Sequence, residues 1–191
     1  SRRQFIVAQP DENRSPEAAA REVLQQFLER AFRRPPEPDE VSQYLELFNV
    51  AFAEDPSYLN SIQFALQGVL ISPDFLFRHE APNESEGPAL VGHYEMASRL
   101  SYFLWGSMPD DELFRAADEQ NLRDPKVLAA QVRRMMADPK ASNLVENFAA
   151  QWLQLRNLGR TKPDPARFPT LDDELLDAMR HETNLFVEAI I

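Results

Sequence analysis

Proline placement constrains the fold of this chain more than any other feature of its sequence. The chain has 15 prolines and 5 glycines among 191 residues, and the prolines lie between apolar segments of helical periodicity. Proline fits the first turn of a helix, but inside a helix it removes a hydrogen bond and clashes with the preceding turn. Ser15-Pro16 and Asp124-Pro125 each have the pattern of an N-cap followed by the first helical residue. The placement therefore predicts an all-α fold.

The segments between these breaks define the expected organisation. Their apolar residues recur at helical spacing, and none alternates as a strand does over a useful length, so we expect about seven to eight helices and no sheet. Residues 14–80 are predicted to form a three-helix unit, 81–88 a linker, and 89–191 a second packed helical unit. The first residue is not Met, and the last residues continue an apolar helical pattern. We therefore expect a piece of a longer polypeptide, with the second unit truncated at its C-terminus.

Charge and composition argue against several classes of function. The formal net charge is −11, and the acidic residues are spread along the chain. Such a surface repels nucleic acid and anionic membranes, so neither is an expected partner. No apolar run approaches the ~20 residues that a membrane-spanning helix needs, so membrane insertion is not expected. The chain has no cysteine, which excludes disulfides, thiolate metal ligands, a cysteine nucleophile and covalent haem attachment within it.

The strongest local candidate for a pocket is "RLSYFLWGSMPDDEL", residues 99–113. Trp105 is followed by a glycine that can end a helix, and Asp110 and Asp111 lie where the next helix starts. Carboxylates are favourable there because of the helix macrodipole. One interpretation is structural: a helix stop, a helix start and buried aromatic side chains. The other is a pocket for a sugar or a cation, lined by Trp105, Asp110 and Asp111.

The polar face of the last predicted helix is a weaker candidate. Asp177, His181 and Glu188 share this face, and oxygen and imidazole ligands could build a metal site there. The helical zinc pair is absent, however, because Leu185 stands four residues after His181. A solvated polar face opposite an apolar one explains the same residues. We therefore assign no catalytic residue and no metal ligand, and whether the chain is part of an enzyme stays open.

Several long phrases carry a family resemblance. They include "ALQGVLISPDFLFR", "MASRLSYFLWGSMPDDELFRAAD" and "MRHETNLFVEAII", and the likeness spans Ser15–Ile191. The chain resembles the helical domains of unknown function found with c-type cytochrome modules in large exported proteins of planctomycetes and related bacteria. It would comprise the short preceding domain and the front part of the main domain. The resemblance implies an exported, multidomain protein with haem c elsewhere in the polypeptide. It implies no activity and supplies no catalytic residue.

These observations lead to one expected function and two alternatives. We expect a structural or interaction module that packs against neighbouring domains of the same polypeptide, in a protein that handles electrons or polysaccharide. One alternative is part of a redox or polysaccharide-degrading active site that regions beyond this chain complete. The other is a carbohydrate-binding unit in which Trp105 or Trp152 stacks on a sugar ring, which requires an exposed indole face. The sequence does not predict an oligomeric state.

Overall fold

The computed structural model describes residues 7–77, 90–160, 164 and 166–190. Over these ranges the chain is helical and forms no strand, which confirms the predicted all-α class. It divides into two compact units, Ser1–Glu95 and Met96–Ile191. The predicted linker lies outside the described residues. Among the helices described, none is both long enough and apolar enough to cross a membrane.

In the part of the first unit that the structure describes, three helices each contact the other two. They are α1 (Pro16–Phe32), α2 (Pro38–Glu54) and α3 (Tyr58–Leu70), followed by the single turn α4 (Pro73–Leu76). The start of α1 is fixed as predicted, because the Ser15 hydroxyl accepts a hydrogen bond from a backbone N–H of the first turn. Apolar side chains from all three helices make the core, including Val23, Leu24, Leu28, Val41, Leu45, Phe48, Ile62, Ala65 and Val69.

Among its described residues, the second unit contains most of α5 (His93–Leu104) and four further α-helices. These are α6 (Asp111–Asp118), α7 (Pro125–Met136), the one-turn α8 (Ala150–Trp152) and α9 (Asp173–Glu188). Its buried apolar side chains come mainly from α5, α6, α7 and the chain leading into α8. They include Ala97, Leu104, Trp105, Leu113, Phe114, Leu122, Met135, Leu144 and Val145.

The helical chain that leads into α8 changes type along its length. It opens with a 3-10 turn, Pro139–Ala141, and continues as the π segment, Leu144–Ala149, before becoming α-helical. The N–H of Ala150 donates to the carbonyl of Val145, five residues back, which is the π pattern of hydrogen bonding. The π segment has more residues per turn than an α-helix, so it changes which side chains face the core.

The burial pattern around the π segment differs from the prediction. Helical periodicity predicts one regular helix that buries Leu144, Phe148, Trp152 and Leu155. Leu144 and Leu155 are buried, but Phe148 and Trp152 are 53% and 73% exposed. The prediction is therefore wrong for the two aromatic residues. The wider turn lets Val145 and Ala149 face the core instead.

Candidate functional site

Trp105, the first predicted pocket residue, is buried directly after α5. Its side chain is 2% exposed, and its indole N–H donates to the Met135 carbonyl at 2.9 Å. The Arg134 guanidinium carbon and Lys140 Nζ lie 5.5 Å and 4.5 Å from the ring centroid, within cation–π range. The ring is thus buried and contacted by two cations of this chain. It offers no exposed face on which a sugar could stack.

Asp110, the second predicted pocket residue, caps α6 and binds Arg134. One carboxylate oxygen accepts from the Leu113 N–H at 3.0 Å, and the two oxygens accept from the Arg134 guanidinium at 2.7 and 3.1 Å. Partial burial alone raises the pKa of Asp110, but the hydrogen bonds from Arg134 and the Leu113 N–H, with the charges of Arg134 and Lys140, together more than reverse this effect. The pKa of Asp110 therefore lies below its ordinary value. Asp111, the third predicted residue, is exposed in the first turn of α6.

Glu112 and Gln131 extend this contact into the Arg134 network, which comprises Trp105, Asp110, Glu112, Gln131 and Arg134. The Nε of Arg134 lies 3.1 Å from a Glu112 oxygen and donates to the Gln131 amide oxygen at 2.9 Å. The Gln131 amide nitrogen donates to the same Glu112 oxygen at 3.0 Å. Partial burial lowers the pKa of Arg134, but its bonds to Asp110 and the negative charges of Asp110, Glu112 and Asp138 together raise it by more, so the net shift is upward. The network joins the start of α6 to the end of α7.

The second predicted set of residues lies along α9. Asp177, His181 and Glu188 are all exposed, and Asp177 pairs with Arg180 on the same helix. In the described ranges, no three or more His, Asp or Glu side chains are grouped so that they could hold a metal ion. The described side chains of α9 thus present a solvated polar face at these positions.

A pocket that the sequence did not predict lies beside α9. Its volume is about 330 Å³, within the range of small-molecule sites. The walls come from the π segment, from α8 and the residues after it, and from α9, with Arg180 and Asn184 one turn apart on α9. The lining residues are Glu146, Ala150, Leu155, Arg156, Arg180 and Asn184.

Hydrogen bonds to neighbouring residues position both arginines of the pocket. Arg180 donates to the Leu158 carbonyl at 2.7 Å, in addition to its pairing with Asp177. Arg156 donates to the Asn147 side-chain oxygen at 3.1 Å. These contacts tie α9 and the π segment to the residues that follow α8.

An exposed aromatic row lies on the same unit: Phe103, Phe148 and Trp152. The Phe103 and Phe148 ring centroids are 5.9 Å apart and edge to face, and those of Phe148 and Trp152 are 6.2 Å apart and stacked. Phe103, like the other two, is more than half exposed. Trp152 is therefore the tryptophan whose ring is open to solvent.

Two family models match the sequence in tandem. The model for PSD5, a protein of unknown function (DUF1595), covers residues 19–80. The model for PSD4, a protein of unknown function (DUF1592), covers residues 91–191, more than half of the chain. The chain belongs to the PSD4 family. This confirms the expected domains of unknown function.

No curated protein and no solved structure matches the chain. The Arg134 network, the pocket and the aromatic row all lie inside the PSD4 match. The function of the PSD4 part is therefore to be inferred from its own side chains.

Proposed function

We propose that this chain is an interaction module of a larger exported, cytochrome-linked protein, and that α9 docks onto a neighbouring domain of the same polypeptide. The observation that carries the proposal is the exposure of α9. All sixteen of its residues are described and none is buried. Large apolar side chains on or just after α9 are between 40% and 68% exposed: Leu175, Met179, Leu185, Phe186 and Ile190.

The physical argument is the cost of leaving an apolar helix side in water. Burying apolar surface is worth about 25 cal/mol per Å², and soluble monomers rarely leave large contiguous apolar patches uncovered. An amphipathic helix gains most of its stability from packing that side against a partner. Docking α9 onto another domain would supply this packing. The Arg134 network fits the proposal as an internal support, because its charges satisfy one another.

The cellular setting of the proposal comes from the family resemblance. Exported proteins that carry c-type cytochrome modules would hold haem c in other parts of the polypeptide, since this chain has no cysteine to attach it. The module would then position redox or polysaccharide-handling domains and would not itself react.

A second candidate function, carbohydrate binding, is favoured by Trp152. An exposed indole stacked on a phenyl ring offers an apolar platform on which a sugar ring can lie. We expect titration with an oligosaccharide to quench Trp152 fluorescence if this function holds. Loss of that response in Trp152→Ala, with no change in Trp105 emission, would assign binding to this platform. A wild-type chain that shows no response to a panel of neutral oligosaccharides would reject it.

Paired substitutions on α9 test docking in two contexts. Met179→Ser combined with Phe186→Ser should change the free energy of unfolding of the 191-residue chain by only about 1 kcal/mol, because both side chains are exposed. In the full-length polypeptide the same pair should expose the domain junction to limited proteolysis. Glu188→Gln, an exposed change on the polar side of the same helix, is the matched control and should leave cleavage as in wild type. Equal cleavage of all three full-length proteins would contradict docking.

A further inference from the structure

A charged residue, Glu182, lies within the exposed apolar side of α9. On the surface of an α-helix, the nearest neighbours of a side chain are those three and four positions away in either direction. For Glu182 all four of these neighbours are apolar and exposed: Ala178, Met179, Leu185 and Phe186. Any surface that covers Met179 and Phe186 must therefore cover Glu182 as well.

The carboxylate of Glu182 has no ion pair and no hydrogen bond among the described residues. Arg180 is the only lysine or arginine of α9, and it pairs with Asp177 and donates to the Leu158 carbonyl. Residues two positions apart do not face each other on a helix, so Arg180 lies on a different side from Glu182. In the 191-residue chain the Glu182 carboxylate is exposed and is satisfied by water.

Docking changes the surroundings of this carboxylate. A surface that covers the four apolar neighbours of Glu182 also removes water from the carboxylate, and an ionised carboxylate that leaves water without a partner is costly. A cation that binds it through charge-assisted hydrogen bonds offsets this cost. The docked state of α9 therefore requires a cation beside Glu182.

The charge of the whole helix favours the same kind of partner. Besides Glu182, α9 carries four acidic residues: Asp173, Glu174, Asp177 and Glu188. The chain as a whole has a formal net charge of −11. A basic surface is attracted to such a helix, and an acidic surface is repelled by it.

We infer that the surface that covers α9 is an apolar groove with a basic side chain, lysine or arginine, opposite Glu182. The inference rests on the proposed docking of α9 and adds the chemistry of its partner. Apolar groups of the groove contact Met179 and Phe186, and the basic group binds the Glu182 carboxylate. A wholly apolar groove would leave this carboxylate buried and unpaired.

Replacement of Glu182 by leucine in the full-length polypeptide tests the inference. Leucine adds apolar surface to α9, so it should strengthen docking onto a wholly apolar groove. Opposite a basic side chain it should weaken docking, because it leaves the cation buried and unpaired. Hydroxyl-radical footprinting of Phe186 reports the docking. We expect Glu182→Leu to raise the oxidation rate of Phe186 at least about threefold above wild type, and Glu182→Lys to raise it further.

Glu188→Leu, an exposed change of the same type on the polar side of α9, is the matched control. It should leave Phe186 as protected as in the wild-type full-length polypeptide. In the 191-residue chain, where Phe186 is exposed, all three variants should oxidise it at the wild-type rate. Their circular dichroism should also show that they remain helical.

The outcomes separate the basic partner from the docking on which it rests. If Phe186 is oxidised equally fast in the wild-type full-length polypeptide and in the 191-residue chain, docking fails and the inference fails with it. If Phe186 is protected in wild type and as well or better protected in Glu182→Leu, docking stands and the basic partner is overturned. An equal loss of protection in Glu188→Leu would overturn the basic partner as well.

Discussion

At the scale of single residues, Arg134 connects Trp105, directly after α5, to the residues at the start of α6. Its guanidinium lies over the buried Trp105 ring and also bonds Asp110, Glu112 and Gln131. Removing one partner of a partly buried ion pair destabilises the fold, because the other charge is left without a partner. Asp110, which the sequence suggested as a pocket residue, is thus part of a structural ion pair.

Removing Arg134 should destabilise the second unit. Arg134→Met keeps much of the aliphatic length but leaves the Asp110 carboxylate, which is 30% exposed, without its main partner. We expect the free energy of unfolding to fall by about 1–3 kcal/mol, measured by urea denaturation. Arg133→Met, an exposed neighbour on α7, is the matched control and should change it by less than about 0.5 kcal/mol. Equal effects of the two substitutions would show that the network contributes nothing.

The same pair should make stability depend on pH in the acid range. The pKa of Asp110 is lowered in the folded state, so the unfolded chain binds more protons and stability falls as pH falls towards the folded pKa. The stabilisation is complete only above the ordinary Asp value of 3.8. Asp110→Asn keeps an N-cap acceptor but removes the titration. We expect the free energy of unfolding of Asp110→Asn to be lower than that of the wild-type chain, by the largest amount near neutral pH. This deficit should shrink when the pH falls below the ordinary pKa of Asp. A deficit that is constant with pH would contradict this.

At the scale of elements, the π segment is where the observed burial of side chains departs from the burial that helical periodicity predicts. A regular α-helix through Phe148 and Trp152 would direct both towards the core, as the periodicity suggested. The i to i+5 geometry leaves both exposed and places Glu146 at the pocket. No residue type between Leu144 and Ala149 marks this change, because a π turn differs from an α turn by a small shift in hydrogen bonding.

Fluorescence quenching should report the exposure of Trp152. The chain has two tryptophans, and Trp105 is buried. We expect acrylamide to quench one emitting component strongly and the other weakly, and Trp152→Phe to leave only the shielded, blue-shifted component. If Trp152→Phe leaves the quenchable fraction unchanged, the helix is regular and Trp152 is buried.

The start of a helix was predicted correctly where one residue could serve as the N-cap. The prediction was wrong where two nearby residues could both serve. Asp124 caps α7 as its sequence pattern indicates, through Lys126 and Val127 N–H groups. Thr170, followed three residues later by Asp173, has a capping-box pattern that predicts Thr170 as the cap of the last helix. Asp172 caps α9 instead, by accepting from the Leu175 N–H. A carboxylate two residues on competes with the threonine hydroxyl, and pattern alone does not decide between them.

The pocket was not predictable for a different reason. Its polar side chains are separated by up to 38 residues, from Glu146 to Asn184, and lie on three elements. Only tertiary packing brings them together. The predicted candidates were instead chosen from neighbours along the chain, where the macrodipole and helical spacing explain acidic residues without a ligand.

At the scale of the whole molecule, the chain consists of two compact units that match two tandem families of unknown function. The first unit has a core drawn from three mutually packed helices. In the second, α9 is amphipathic yet has no buried residue. This difference supports the central claim, that α9 is covered by another domain in the complete polypeptide.

Hydroxyl-radical footprinting measures side-chain exposure and tests this claim most directly. Met179 and Phe186 should be oxidised rapidly in the 191-residue chain, where they are exposed. Docking of α9 predicts that both become protected in the full-length polypeptide, while Met136, on α7, is oxidised at the same rate in both forms. Unchanged oxidation of Met179 and Phe186 in the full-length polypeptide would contradict the account.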